Sequence, residues 1–188
     1  MSLSNFWYAV EHSVTLQEKP ISLTLLDQRY VIYRDSQGKA HALVDRCAHR
    51  GASLGEGWVE GDCIRCPYHG RSYDTSGSCV RIPADREGTP IPNRARMSSL
   101  PIQETNGFIW IFPGQADLAD PALIPPFPEF GQDGWRPVHG EYIWNANFSR
   151  VVESGLDTSH APFVHKPFFP NRDDAVVHPL DVKVTDHH

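Results

Sequence analysis

What the chain lacks narrows its reading first. No apolar run approaches the roughly 18 residues of a membrane-spanning helix. No excess of positive charge is present either: 17 Lys and Arg stand against 23 Asp and Glu, a formal net charge of −6. A nucleic-acid surface needs a basic patch, so that class of partner is set aside. Met1 to Val10 have neither the basic start nor the long apolar stretch of a secretory signal, and the reading places the protein in the cytoplasm. Internal repeats and low-complexity segments are missing. Cysteine is scarce, four in 188 residues. In a cytoplasmic chain, four cysteines point to metal or redox chemistry before disulfides. The low charged fraction, 21%, argues against disorder, and a chain of this length buries enough surface to need no covalent staple.

Turn-formers and histidine are abundant by contrast. Sixteen prolines and 14 glycines predict short strands joined by many turns. Ile21 to Leu26 and Arg29 to Arg34 read as two strands around an Asp27-Gln28 turn. Ser36 to Lys39 reads as a second turn, followed by a strand over Ala40 to Val44. Phe108 to Phe112 is β-branched and aromatic, another strand. Residues 81–101 carry four prolines and read as a long surface loop. These elements predict a mainly β fold, with a first domain over 1–117 and a proline-rich linker over 118–138. Beyond it, Glu141 to Ala146 reads as a strand. Phe148, Val151, Val152 and Leu156 recur at helical spacing, with Asn147 or Ser149 as N-cap. Pro162 is expected to end or bend that helix. Leu180, Val182 and Val184 alternate as a half-buried strand. One helix and two strands cannot close a core, so residues 139–188 read as the opening of an incomplete domain.

Ten histidines are present, and four side chains among the histidines and cysteines form a pattern. Cys47-Ala48-His49 is followed, after 16 intervening residues, by Cys66-Pro67-Tyr68-His69. Each loop offers one thiolate and one imidazole. Zinc accepts such a set, and so does a [2Fe–2S] cluster with thiolates on one iron and imidazoles on the other. Zinc sites usually group Cys with Cys and His with His, whereas each loop here mixes the two.

At these residues the chain resembles the Rieske iron–sulfur family over roughly residues 6–115. Arg50-Gly51 after the first histidine, Gly70 after the second and Tyr73-Asp74 beyond it agree with the resemblance. It implies that Cys47, His49, Cys66 and His69 hold a [2Fe–2S] cluster. Cytochrome-complex Rieske proteins carry an extra disulfide cysteine in each loop and a serine two residues after the second histidine. Here those positions are Ala52, Tyr68 and Arg71. Without those hydrogen bonds to sulfur, the expected potential lies near the low end of the Rieske range, about −150 mV.

A second motif follows. Asp157-Thr158-Ser159-His160 runs on to His165. On one ideal helix the two histidines would point about 140° apart, so convergence on one ion needs a break between them, and Pro162 stands there. Two imidazoles and a nearby carboxylate form part of a facial triad for non-haem Fe(II). The stretch resembles the mononuclear-iron segment of Rieske non-haem iron oxygenase α subunits, and Glu153 fits its local pattern. That resemblance implies that His160 and His165 bind iron. It also implies that Asp157 links His160 to the second cluster histidine, His69, of a neighbouring subunit. The family's third ligand is a downstream carboxylate; Asp173, Asp174 and Asp186 do not match its context. The chain therefore reads as a truncated form, a Rieske domain followed by the start of an α+β, helix-grip-like catalytic domain, expected to be inactive alone.

The resemblance implies a cluster reduced by a ferredoxin or an NAD(P)H-dependent reductase, a mononuclear Fe(II) in the full-length protein, and a ring-shaped homotrimer. It implies O₂-dependent hydroxylation or O-demethylation of an apolar, aromatic substrate, most like the α-only members. A Rieske ferredoxin-type carrier with a C-terminal extension, and a zinc-binding module, are the alternatives. Gly51-Ala52-Ser53-Leu54-Gly55 matches the nucleophile-elbow pattern but lacks its strand and helix context. Cys63 and Cys79 read as packing thiols, His12, His41, His139 and His178 as surface or loop residues, and the five tryptophans as core or interface.

Overall fold

The structure, a computed structural model, describes residues 3–138, 140–165, 168, 181 and 182. The chain divides into two compact units, Met1–Arg136 and Pro137–His188. The strand expected over 180–184, the carboxylates Asp173, Asp174 and Asp186, and His139 and His178 lie outside the described residues.

The first unit is built from three antiparallel sheets. β2 (Ile21–Leu25), β3 (Gln28–Arg34) and β4 (Ala40–Val44) form one sheet in chain order. β5 (Trp58–Glu60), β6 (Cys63–Arg65), β7 (Ser72–Tyr73) and β8 (Cys79–Arg81) form the second. In the third, β10 (Phe108–Ile111) lies between β1 (Tyr8–His12) and β9 (Ile102–Thr105).

β3 explains how these sheets pack, because it stands between two cores. Its side chains alternate, as a strand's must. Tyr30 and Ile32 enter a core with Leu16, Ala40, Ala42, Ile109 and Ile111. Val31 and Tyr33 enter a second core with Leu43, Leu54, Ile64 and Tyr73. Both faces are buried, so the strand reads as a continuous apolar run. The second core also contains Cys47 and Cys66, so the two motif loops rest on it.

Hairpin register corrects one expectation. The β2–β3 turn is Leu26-Asp27, both at positive φ (50° and 61°), not Asp27-Gln28. Gln28 pairs with Leu25, which sets Leu23 opposite Tyr30 and Ile21 opposite Ile32. A one-residue slip would turn one strand's apolar set away from the core, and that burial outweighs the cost of a left-handed leucine. A second two-residue turn, Asn106-Gly107, joins β9 to β10 with φ of 55° and 77°.

Two proline-rich stretches are more ordered than their composition suggests. Within 81–101, Ala95 and Met97 are buried, and Ser98 and Ala42 carbonyls accept from Val44 and Leu100 amides. This segment bridges β4 to the turn before β8 instead of forming one open loop. Residues 116–118 and 121–123 are single 3₁₀ turns. Trp7 Nε1 donates to the Asp120 carbonyl at 2.8 Å, and Ile124 is buried.

In the second unit, α1 spans Phe148–Leu156 with Asn147 as its N-cap; the Asn147 side chain accepts from the Ser149 amide at 3.0 Å. A one-turn helix, α2, spans Ala161–Val164. The strand expected over Glu141 to Ala146 is irregular backbone with Tyr142 and Ile143 exposed, and among the described residues no strand pairs with it. An extended segment needs a ladder partner to satisfy its backbone away from water. Among the described residues, no helix is long and apolar enough to cross a membrane.

Candidate metal centre

The two cysteine–histidine loops are built alike. In the first, the Gly51 amide donates to the Cys47 carbonyl (2.8 Å) and the Cys47 amide to the Ala52 carbonyl (2.9 Å). In the second, the Gly70 amide donates to the Cys66 carbonyl (3.0 Å) and the Cys66 amide to the Arg71 carbonyl (2.9 Å). The closing residue is glycine in both, at φ of 74° and 66°, a conformation other residues adopt only with strain. The histidine stands at the second position after cysteine in one loop and the third in the other. Matching backbone ties thus carry the different spacings, C-x-H and C-x-x-H.

These loops bring the side chains together in two pairs, thiol beside thiol and imidazole beside imidazole. Cys47 and Cys66 are buried, while His49 and His69 are exposed with ring centroids 4.7 Å apart. Tyr68 stacks on His69 at 4.0 Å. Burial pushes the Cys66 thiol up, with the Cys47 thiol close enough to add to the effect. Ionising Cys66 therefore calls for a cation. His49 is held below the ordinary histidine value, first by desolvation and then by Arg71, His69 and Arg50. Its nitrogen is then free to act as a ligand at neutral pH.

Among the described residues, no three His, Cys, Asp or Glu side chains gather as ligands of a single ion. The loop residues fall instead into a buried thiol pair and an exposed imidazole pair. Chemically, that separation suits two bridged irons with unlike ligands better than one tetrahedral zinc.

Tyr73 adds a contact that the loop spacing did not reveal. Its hydroxyl lies 3.1 Å from Cys47 Sγ. Burial, then the sulfur itself, holds the phenol above its ordinary value, so it remains a proton donor. One hydrogen bond to the Cys47 sulfur is therefore present where the sequence reading counted only missing ones. Its signal was Tyr73 itself, two residues beyond the turn after His69.

Asp45 was also missed. Its side chain is fully buried. It accepts from Ser22 Oγ (2.5 Å), Ser53 Oγ (2.6 Å) and Arg29 Nη2 (2.8 Å), and from the amides of Leu54 (2.5 Å) and Gly55 (3.2 Å). Burial alone would raise its carboxyl, but the bonds from Ser22, Ser53, Leu54 and Gly55 outweigh that and hold it low. Ser53, the serine of the elbow-like pattern, is thus occupied by a carboxylate.

The remaining sequence-predicted residues divide. Cys79 is buried and Cys63 half-buried, as packing thiols. His12 and His41 stand half-buried in β1 and β4, a correction to the surface reading; His41 Nε2 lies 2.8 Å from Asp35 Oδ2. Trp110 is buried and Trp7 packs edge-on to Phe112, but Trp58, Trp135 and Trp144 are exposed. Trp58 serves instead as a face for the Arg65 guanidinium, 5.3 Å away.

In the second unit, His160 precedes α2 and His165 follows it, their ring centroids 5.4 Å apart. The break comes earlier than expected. α1 ends at Leu156, and Pro162 occupies the first turn of α2, where its missing N–H is harmless. Asp157 Oδ1 accepts from the Ser159 amide at 2.8 Å. Its Oδ2 lies 3.8 Å from His160 Nδ1, too long for a hydrogen bond. Ser159 holds this carboxyl below its ordinary value, and it stays ionised and exposed.

Comparison with known proteins finds matches in both units. Residues 6–102 match the Rieske [2Fe-2S] domain, and residues 144–188 match the vanillate O-demethylase oxygenase C-terminal domain. The oxygenase component of dicamba O-demethylase from Stenotrophomonas maltophilia is 36% identical over 162 residues, 86% of this chain and 47% of that protein. Methylxanthine N1-demethylase from Pseudomonas putida is 36% identical over 190 residues, 95% of this chain and 52% of that one. The crystal structure of dicamba monooxygenase bound to dicamba superimposes with a TM-score of 0.82 at 35% identity, covering 88% of this chain and 49% of the other. The chain spans about half the length of the curated relatives it matches.

Proposed function

The chain belongs to the Rieske [2Fe-2S] domain family, and from that premise we propose that it serves a Rieske non-haem iron oxygenase. The observation that carries the proposal is the pair of matched loops, each offering one buried thiol and one exposed imidazole, with the two imidazoles side by side. Cys47, His49, Cys66 and His69 are the residues that hold the cluster, and His160 and His165 those that hold the iron. When bound, the [2Fe–2S] group supplies one-electron transfer and the Fe(II) supplies O₂ activation.

The protein's own part is placement. Tyr73 donates to one ligand sulfur, the two glycine turns fix the loop tips, and the loop core keeps water from the thiols. Asp157, with one oxygen committed to Ser159 and the other turned toward His160, is the residue that bridges to His69 of a neighbouring copy in a homotrimer. A carboxylate held ionised suits this role, because it accepts from imidazole N–H groups on both sides.

The domain assignment is a Rieske domain over 1–117, a proline-rich connection over 118–138 and the start of the catalytic domain from 139. Family matches to 6–102 and 144–188 support it. The second match also favours an oxygenase over a ferredoxin-type carrier. Solved relatives include a dicamba monooxygenase with non-haem iron. The reaction is O₂-dependent hydroxylation or demethylation of an apolar, aromatic substrate, in the cytoplasm, with electrons from a ferredoxin or an NAD(P)H-dependent reductase.

Asp157→Asn in the full-length protein tests the bridge. Both metals stay bound, the cluster is reduced by its donor as before, and turnover falls at least tenfold. Normal turnover in that variant contradicts the role.

A further inference from the structure

We propose that Asp45 is the positioning residue of the cluster site: it closes the first ligand loop and holds a fixed negative charge beside it that keeps the cluster's potential low. The inference rests on the Rieske reading above.

The geometry is that of a clasp. Asp45 stands two residues before Cys47, at the entry of the loop. Its carboxylate accepts from the amides of Leu54 and Gly55 and from the Ser53 hydroxyl, at the loop's exit. The Cys47–His49 segment is thereby enclosed between two ends held by one side chain. The same carboxylate reaches Ser22 on β2 and Arg29 on β3, and the Asp45 amide donates to the Arg29 carbonyl at 3.0 Å. Loop and hairpin are thus joined through a single residue.

This arrangement also gives the Gly51-x-Ser53-x-Gly55 pattern a reason. Gly51 takes the left-handed turn, and Ser53 donates to the carboxylate. Gly55 lets the hairpin come close, since a Cβ there would sit 2.0 Å from Ser22 Oγ.

Closing a loop does not by itself require a charge, and a buried charge is costly unless well satisfied. Four of the five donors here are neutral: two hydroxyls and two amides. The fifth, Arg29, has a side chain 53% exposed, so much of its charge is screened by water while that of Asp45 is not. Asp45 therefore sets a buried negative charge at the foot of the ligand loop, opposed from the loop's outer side by Arg46 beside Gly51 and by Arg50 and Arg71 near His49. Reduction adds one electron, and so one negative charge, to the cluster. A fixed negative charge nearby opposes that step.

The two charges make opposite predictions, which a purely structural role does not. Asp45→Asn keeps the shape and removes the charge, and Arg29→Met removes the partly opposing one. Potentials are read by redox titration of the 188-residue protein, followed by visible absorption and EPR. The expected result is a positive shift in Asp45→Asn and a negative shift in Arg29→Met, with cluster loss on storage faster in the first. Unchanged potentials, or shifts of the same sign in both, overturn the proposal even if the cluster is lost faster. Should Asp45→Asn not fold, the sign of the Arg29→Met shift decides alone. Wild-type protein is first assayed for iron, sulfide and nitrogen-coupled EPR. Their absence overturns the Rieske reading and this inference together, whereas their presence with unshifted variants overturns this inference alone.

Discussion

In the β unit, Cys47, His49, Cys66 and His69 stand on turns hydrogen-bonded at both ends, over a core that includes Val31, Tyr33, Leu54 and Ile64. In the second unit, His160 and His165 flank one helical turn, and the apolar side chains Phe148, Val152 and Leu156 of α1 and Phe163 of α2 are exposed. An amphipathic helix of that kind gains its stability from a surface that covers its apolar stripe. The contrast separates a site whose supports are all within its own unit from one whose donors are present but whose supports are not among the described residues. It also separates their chemistry. The β unit offers four donors in two pairs, whereas 160 and 165 offer two imidazoles and an exposed carboxylate 3.8 Å from one of them.

The widest split between the two sites comes from deleting one histidine in each. His49→Ala abolishes the visible absorption of the oxidised cluster, while His160→Ala leaves that spectrum intact and, in the full-length protein, removes turnover. Absorption retained in His49→Ala means that the ligands are wrongly chosen. Loss of the spectrum in His160→Ala means that the two sites are not separate.

Backbone strain gives the next largest effect, and it is confined to the β unit. A Cβ on Gly77 would lie 2.2 Å from the Met97 carbonyl oxygen, at φ of 83°. Gly77→Ala is expected to cost about 1–3 kcal/mol, seen as a lower denaturant midpoint. Gly155 in α1 has nothing within reach of an added Cβ. Gly155→Ala should be neutral or stabilising by up to about 1 kcal/mol. Equal effects at the two positions would dissolve the contrast.

Acid sharpens it further. Glu104 is held below its ordinary value first by its bond from Arg34, and Asp45 lies below its own against the pull of burial. A depressed folded value means that the stability these groups contribute is full above the ordinary carboxylate range, near about pH 4, and is lost as pH falls through the folded values. The melting temperature of the β unit should therefore hold from pH 7 to pH 5 and fall below pH 4. A melting temperature that rises on acidification contradicts the assignment of both groups.

Tyr73→Phe carries the smallest effect. It removes the hydroxyl 3.1 Å from Cys47 Sγ and leaves the packing. Loss of that bond disfavours the electron-rich reduced state, so the potential moves negative by a modest amount with the cluster retained. An unchanged potential would show that the contact is not a hydrogen bond to a ligand sulfur.

How much of this was legible in the sequence follows the same division. The loops could be read because ligand chemistry demands particular residue types at short spacing, and Cys47-x-His49 and Cys66-x-x-His69 satisfy it. Helix α1 could be read because Phe148, Val151, Val152 and Leu156 follow its period and Asn147 caps it. The β2–β3 turn was misplaced by one residue because local turn preference favoured Asp27-Gln28, while the burial of Leu23 opposite Tyr30 decided the register. β9 went unseen, although Asn106-Gly107 is a strong hairpin signal. Asp45 was invisible for a different reason. Its partners Ser22, Arg29 and Ser53 are scattered along the chain and meet only in three dimensions. The strand expected at Glu141 to Ala146 failed because alternation predicts a strand only where a partner strand exists, and among the described residues none pairs with it.

The central claim is that the two loops hold a bridged pair of irons with unlike ligands. An iron and acid-labile sulfide count on anaerobically prepared protein tests it most directly. About two irons and two sulfides per cluster site are expected, with an EPR signal on reduction that shows nitrogen coupling. One zinc per chain and no sulfide would contradict it.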